Sequence, residues 1–246
     1  MAFPDIPTTA GSTLLTAEQA NTTATRTFPS LSSLTKQGGD LLLAIIVAYQ
    51  SSATANTVWS SWGASFTEFM DTSTTSTVAI GGAYKWSTGS ETGTFTVTQA
   101  ATVTGHANMM LMSIHGAHFT TPPEFGGSVA STNSNADAGS YTTSAWGVED
   151  TLWITVCGVG ETSTAGSFQG VIGGPSSPWT DYAETAISQD VVGGMDMGIS
   201  FNQESSDTVD PGAFNTDTSN TRWRAVTIAV RPSVGPQLVM APMRAP

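Results

Sequence analysis

The chain carries little charge, and most of what it carries has one sign. Asp, Glu, Lys and Arg make up 11% of its 246 residues, against about 25% in an average soluble domain. Long solvent-facing helices draw their outer faces from Glu, Lys, Arg and Gln, so this scarcity excludes a helical bundle. Seven basic residues stand against nineteen acidic ones, a formal charge of −12, which a phosphate backbone or an anionic membrane surface would repel. Neither nucleic acid nor membrane is an expected partner. A single cysteine, Cys157, forbids an intrachain disulfide; set in an apolar run, it reads as a small buried hydrophobe rather than a nucleophile. The longest apolar run, residues 41–49, is about half the ~20 residues that a spanning helix needs. The first seven residues, Met-Ala-Phe-Pro-Asp-Ile-Pro, have neither the basic nor the apolar region of a secretory signal.

What is abundant is Thr and Ser, about a quarter of the chain, which with Val suits a pleated, half-buried surface. Strand-like runs lie between Gly, Pro, Asn and Asp clusters at residues 22–28, 40–49, 65–71, 77–86, 94–99 and 106–115, then at 151–159, 180–188, 195–202 and 223–231. No segment between them repeats apolar residues every 3.6 positions, so the expectation is an all-β antiparallel sandwich of about ten strands, not βαβ units. Residues 12–21 are expected as one short helix or turn.

The two halves of the chain resemble each other. Asp40-Leu-Leu-Leu-Ala-Ile-Ile-Val answers to Asp150-Thr-Leu-Trp-Ile-Thr-Val-Cys, and Trp62 with Phe66-Thr-Glu-Phe answers to Trp179 with Tyr182-Ala-Glu-Thr. The run from Val78 answers loosely to the run from Gly193, and Ala107-Asn-Met-Met-Leu-Met-Ser-Ile answers to Trp223-Arg-Ala-Val-Thr-Ile-Ala-Val. About five strands per half are too few to bury both faces of a sheet, so the halves, residues 22–118 and 121–232, are expected to share one domain spanning 13–232. Residues 1–12 and 233–246, rich in Pro and Ala, read as extended terminal arms. In the second arm Leu238, Val239, Met240 and Met243 are apolar residues that prefer burial, which makes them candidates for assembly onto a neighbour.

Enzymatic chemistry finds little footing. Glycosidases need two carboxylates flanking a sugar bond, and Glu68 and Asp71, three apart on a strand, are expected on opposite faces; Glu68 and Glu184 fall at similar places in the repeat and read as strand-end surface residues. No Gly-x-Ser-x-Gly elbow occurs. His106, His115 and His118 lack the neighbours that complete a zinc set, and Asp207, Asp210 and Asp217 lack the spacing of a calcium loop. No catalytic residue, metal or cofactor is expected. Trp59, Tyr141 and Trp146 lie near turn-rich segments and are candidate surface or interface contacts, for a protein or for a glycan stacked on their rings.

Several of these runs together resemble a family of tailed-bacteriophage virion proteins of the minor-tail or head-decoration type: Gly39-Asp40-Leu-Leu-Leu-Ala, Trp62 before a strand, Ala83-Tyr84-Lys85-Trp86 followed by Thr94-Phe-Thr-Val-Thr, and Trp223-Arg-Ala-Val-Thr-Ile-Ala-Val-Arg-Pro. The resemblance covers residues 20–232. It implies a jelly-roll-like β-sandwich without enzymatic activity, made in the host cytoplasm and incorporated in several copies on the outer surface of a virion. Its partners would be capsid or tail proteins, with the homo-oligomer taken as a trimer by analogy with threefold attachment sites. The alternative reading is a carbohydrate-binding or host-receptor-binding β-sandwich module.

Overall fold

The computed structural model describes residues 2–6, 14–21, 25–49, 59–72, 78–99, 105–131, 135–161, 171–176, 178–187, 195–216 and 221–233. The first half contributes β1 (Leu14–Asn21), β2 (Thr25–Thr27), β3 (Gly38–Tyr49), β4 (Trp59–Trp62), β5 (Thr67–Asp71), β6 (Val78–Thr88), β7 (Thr96–Gln99) and β8 (Gly105–Ile114). They form a five-stranded antiparallel sheet, β1-β8-β3-β6-β5, and a three-stranded one, β2-β7-β4. The second half contributes β9 (Glu124–Ser131), β10 (Asn135–Ala138), β11 (Tyr141–Thr142), β12 (Glu149–Glu161), β13 (Val171–Gly173), β14 (Thr180–Ile187), β15 (Met195–Ser206), β16 (Thr208–Val209), β17 (Gly212–Thr216) and β18 (Thr221–Val230). Its sheets run β9-β18-β12-β15-β14 and β10-β17-β13, with a small β11-β16 ribbon added.

Without that ribbon, the two halves follow one strand path. In each, the first strand pairs with the eighth, the second with the seventh and the third with the sixth. An antiparallel ribbon folded over itself gives this order. A jelly roll has eight strands in two sheets; here the split is five and three, because the fifth strand lies beside the sixth. Even the irregularities recur. The ladder slips at Phe69, between Glu68 and Met70 on β5, and at Tyr182, between Asp181 and Ala183 on β14.

The two five-stranded sheets stack face to face, with a three-stranded sheet outside each. Leu41, Leu43, Ile45 and Val47 of β3 meet Leu152, Ile154 and Val156 of β12 in the central layer, joined by Met110, Met112, Met195, Met197, Val226 and Ile228. The opposite face of β3, with Leu42, Ala44 and Ile46, packs under the first small sheet against Phe28, Trp59, Phe95 and Val97. Cys157 and Val159 pack likewise with Ala136, Ala138 and Phe214 under the second. Sheets covered on both faces need apolar residues at every position, which is why β3 is buried from Asp40 to Tyr49. Each fully buried Leu, Ile or Val in these layers contributes roughly 2 kcal/mol.

The halves meet as a pseudo-two-fold pair. β8 packs on β15 as β18 packs on β6, and β6 packs on β12 as β15 packs on β3. Ladder register places Tyr49, opposite Val78, in the position of Gly160, opposite Met195. Val47 then matches Gly158, and Asn108 matches Arg224. The match is chemical as well as topological: Asn108 Nδ2 donates to Met195 O (3.1 Å) across the interface, and Arg224 Nε donates to Val78 O (3.0 Å) in the reciprocal position.

Four expectations change. The described residues form eighteen strands rather than about ten, because the short outer strands carry no apolar run to mark them. Residues 14–21 form an edge strand, not a helix, since pairing with β8 along all eight positions satisfies their backbone. Residues 2–6 belong to the body: Asp5 exchanges both backbone hydrogen bonds with His115 (2.9 and 2.8 Å), and Ile6 is buried in the central layer. The repeat alignment through Asp40 and Asp150 is one residue out, because Leu41 matches Leu152 and Asp40 matches Thr151; a slip of one would turn every core side chain to the wrong face.

Candidate functional site

Residues 115–123 join the two halves, and the ends of the described chain converge on them. Gly116, with φ of +71°, bends the path after β8. Asp5 pairs with His115 on one side, while Ala117 pairs with Pro232, His118 N donates to Arg231 O (2.9 Å) and Ser233 N donates to Gly116 O (2.7 Å). The Arg231 guanidinium forks onto Glu149 (2.7 and 2.8 Å) and lies 5.9 Å from the Trp146 ring centre. The Arg231 hydrogen bond holds the Glu149 carboxyl below the usual carboxylate range and raises Arg231 in turn. Val148 (67% exposed) precedes Glu149 in sequence, and Phe119 (64%) follows His118. The region is thus held by backbone pairing to both ends of the described chain and by the Arg231–Glu149 ion pair.

The three aromatic candidates are packed inward. Trp59 is 2% exposed and lies on Gly81, where a Cβ would come within 2.2 Å of its Nε1. Trp146, 7% exposed, gives its Nε1–H to Thr151 Oγ1 (3.2 Å) and packs with Trp153 and Trp179. Tyr141 is half-buried: it lies on Gly126, meets Trp153 edge-on and donates to Glu124 Oε2 (3.0 Å). Burial, then that hydrogen bond, raises its phenol pKa. A turn-rich neighbourhood had suggested exposure; instead the β11-β16 ribbon and facing glycines make room for the rings, so Trp59 and Trp146 present no open face. Leu238, Val239, Met240 and Met243 lie outside the described residues.

The slip at Phe69 also revises the carboxylates. Glu68 stands opposite Ala83 and Asp71 opposite Gly81, alternate positions on β6, so the two share a face. Glu68 matches Asp181 in the second half, and Glu184 matches Asp71. Glu68 accepts from Trp62 Nε1 (2.7 Å); burial raises its pKa, opposed by that hydrogen bond and assisted by Asp71. Beside it, Ala64 (φ 54°) and Ser65 (φ 62°) are the two left-handed non-glycine residues among those described, with Lys85 Nζ donating to Ala64 O (3.2 Å). Sequence spacing cannot see a bulge, so this cluster was missed.

A serine, a histidine and an aspartate do meet, at Asp40. Its Oδ2 accepts from Ser113 Oγ (2.9 Å) and Gln37 N (2.7 Å) and lies 2.9 Å from His115 Nε2, whose N–H is out of line. Ser113 donates to the carboxylate rather than to the imidazole, so the three are not in the Ser-His-Asp relay order of a hydrolase triad. His118 Nδ1 sits within reach of Thr120 and Thr121 in its own turn. Cys157 is fully buried, and burial followed by nearby Asp196 pushes its thiol pKa well up. Asp210 helps burial raise the Asp137 carboxyl, while Asp217 lies outside the described residues. No group of three or more His, Cys, Asp and Glu side chains gathers around a possible metal position among the described residues.

Geometry thus defines a class: a duplicated all-β sandwich, two half-chains of one strand order welded back to back. No family model, curated protein or solved structure matches the chain.

Proposed function

We propose that this chain is a non-enzymatic structural protein of a tailed-phage virion, mounted on the capsid exterior or on a tail component. The observation that carries the reading is the four-layer stack. Both large sheets are covered on both faces, and the halves are locked by reciprocal buried hydrogen bonds. Such a body is built to keep its shape under load, and its polar constellations at Asp40, Glu124 and Arg231 are spent on holding strands and turns together. An acidic surface suits the outside of a particle better than contact with packaged DNA. The glycan reading has less support, since Trp59 and Trp146 are buried.

The test is antibody labelling of gradient-purified particles produced from the genome that encodes the chain, with mass spectrometry of the same fraction. Stoichiometric presence in particles and gold label on their surface are the expected results. Recovery of the protein only from the particle-free supernatant would overturn the reading.

A further inference from the structure

Each large sheet ends in two edge strands, and an open edge is a row of unpaired backbone donors and acceptors that proteins ordinarily blunt. Three of the four edges are blunted. β5 is broken at Phe69 and β14 at Tyr182. β9 slips in register against β18, and its Gly127 (φ +60°) gives its carbonyl to Gly139 N (2.8 Å). β1 differs: it pairs with β8 in unbroken register from Leu14 to Asn21 and has no strand on its other side among the described residues. Its sequence, Leu-Leu-Thr-Ala-Glu-Gln-Ala-Asn, contains no Lys or Pro to discourage a partner. Every second residue of such a strand turns its N–H and C=O outward.

We propose that the β1 edge receives, as an added antiparallel strand, the C-terminal segment of a second copy of this chain. The described chain ends at Ser233, stapled to Gly116, and residues 234–246 follow; extended, they reach roughly 45 Å. Within them Gln237-Leu-Val-Met-Ala runs between Pro236 and Pro242. Five residues is a common strand length, and proline is tolerated at strand ends where it has no ladder bond to donate. The segment contains no acidic residue, so its side chains add no repulsion against an acidic body. Both ends of the described chain are held at the linker: Asp5 pairs with His115, and residues 231–233 pair with Gly116, Ala117 and His118. Donor and acceptor on one chain, satisfied between copies, give head-to-tail assembly that closes into a ring or extends. This deepens the assembly reading by naming the partner surface, and it fails separately from it. Exchange between purified copies is independent of particles, and particle incorporation is possible without exchange.

The experiment uses the full-length chain, Val239→Pro, and a chain ending at Ser233, each measured by light scattering over a concentration series. Val239 lies outside the described residues, and an unchanged melting temperature shows that the fold is intact. The expected result is a concentration-dependent oligomer for the full chain and a monomer for both variants. Thr16→Cys with Val239→Cys, in a background whose native Cys157 is buried, should give disulfide-linked multimers on mild oxidation. Thr67→Cys on the bulged β5 edge, with Val239→Cys, should give none. A full-length monomer at all concentrations, a Val239→Pro mass equal to the parent, or a Thr16–Val239 disulfide formed only within single chains would each overturn the proposal.

Discussion

The two halves reach the same strand order with different residues, and the differences are concentrated where the halves touch and where each closes its outer layer. At the centre, Val47 and Tyr49 project from the first half where the second has Gly158 and Gly160. A Cβ on Gly158 would come within 2.1 Å of Val47 Cγ1, and one on Gly160 within 2.6 Å of the Tyr49 ring. Equivalent positions near a pseudo-two-fold axis face each other, so two large residues would collide and two glycines would leave a void. One of each fits. The halves therefore complement one another rather than themselves. Toward the linker end, the first half stacks Phe28, Phe95 and Phe66 and ties β3 to β8 through the Asp40 carboxylate. The second half substitutes Trp146, Trp153 and Trp179, with Trp146 bonded to Thr151, the residue matching Asp40. Shared topology tolerates either polar device provided that the buried groups are paired.

The largest effect is expected from Gly158→Val, which forces a side chain into Val47 and should cost about 3 kcal/mol or more in urea unfolding. The same pair sharpens the comparison. Val47→Gly alone opens a cavity, while Val47→Gly with Gly158→Val moves the knob to the other half and should recover more than half of the combined loss, a double-mutant coupling of about 3 kcal/mol. Additive losses would mean that the two positions do not share one space. Next in size are the reciprocal hydrogen bonds. Asn108→Ala should lose about 1–2 kcal/mol, and Arg224→Ala should lose more, because its buried guanidinium also reaches Ser128 (3.2 Å). Equal losses would show that the second contact adds nothing.

The two polar devices differ in kind, and substitution should separate them. Asp40→Ala leaves Ser113 and the Gln37 N–H without their acceptor and should cost about 2 kcal/mol, against about 1 kcal/mol for Thr151→Ala, which strands only the Trp146 N–H. Thermal melts of both proteins decide the order. The smallest effect belongs to Glu91, in the first half's β6–β7 connection. Burial alone would raise its carboxyl, but the N–H groups of Thr88 and of Glu91 itself, with the Ser87 and Thr88 hydroxyls, outweigh it and hold the pKa at about 2. A depressed folded-state pKa contributes stability above the unfolded value of 4.5 that is lost as pH falls toward 2. Glu91→Gln should flatten the stability-versus-pH curve in that window and cost up to about 1 kcal/mol at pH 7, read from denaturant midpoints at pH 7, 4 and 2.5.

The legible parts of the fold were the doubly buried strands. Runs such as Leu41–Tyr49 and, but for Thr155, Leu152–Val159 have no other reason to be so apolar, and their recurrence exposed the duplication. The small outer strands, among them Thr25–Thr27 and Gly212–Thr216, bury one face with a few Phe, Ala or Arg residues and present Thr, Asn or Asp outside, so their composition hardly differs from that of a loop. Bulges were invisible for a related reason: one extra residue, Phe69 or Tyr182, inverts the facing of everything after it without altering composition. That error put Glu68 and Asp71 on opposite faces; separately, matching tryptophan to tryptophan paired Trp179 with Trp62, whereas the ladders match Trp179 with Phe66. The burial of Trp59 and Trp146 was not legible because exposure was inferred from neighbouring turns, and the glycine under Trp59, Gly81, is distant in sequence, as Gly126 is from half-buried Tyr141.

Hydrogen exchange with denaturant, followed by mass spectrometry, tests most directly whether the halves form one body. Amides of β3 and β12, the central strands of the two large sheets, should lose protection in a single step at one urea concentration, and Gly158→Val should lower that concentration for both. Loss of protection in β12 at a lower urea concentration than in β3, or the reverse, in the unaltered protein would contradict a shared core and return the molecule to two independent sandwiches.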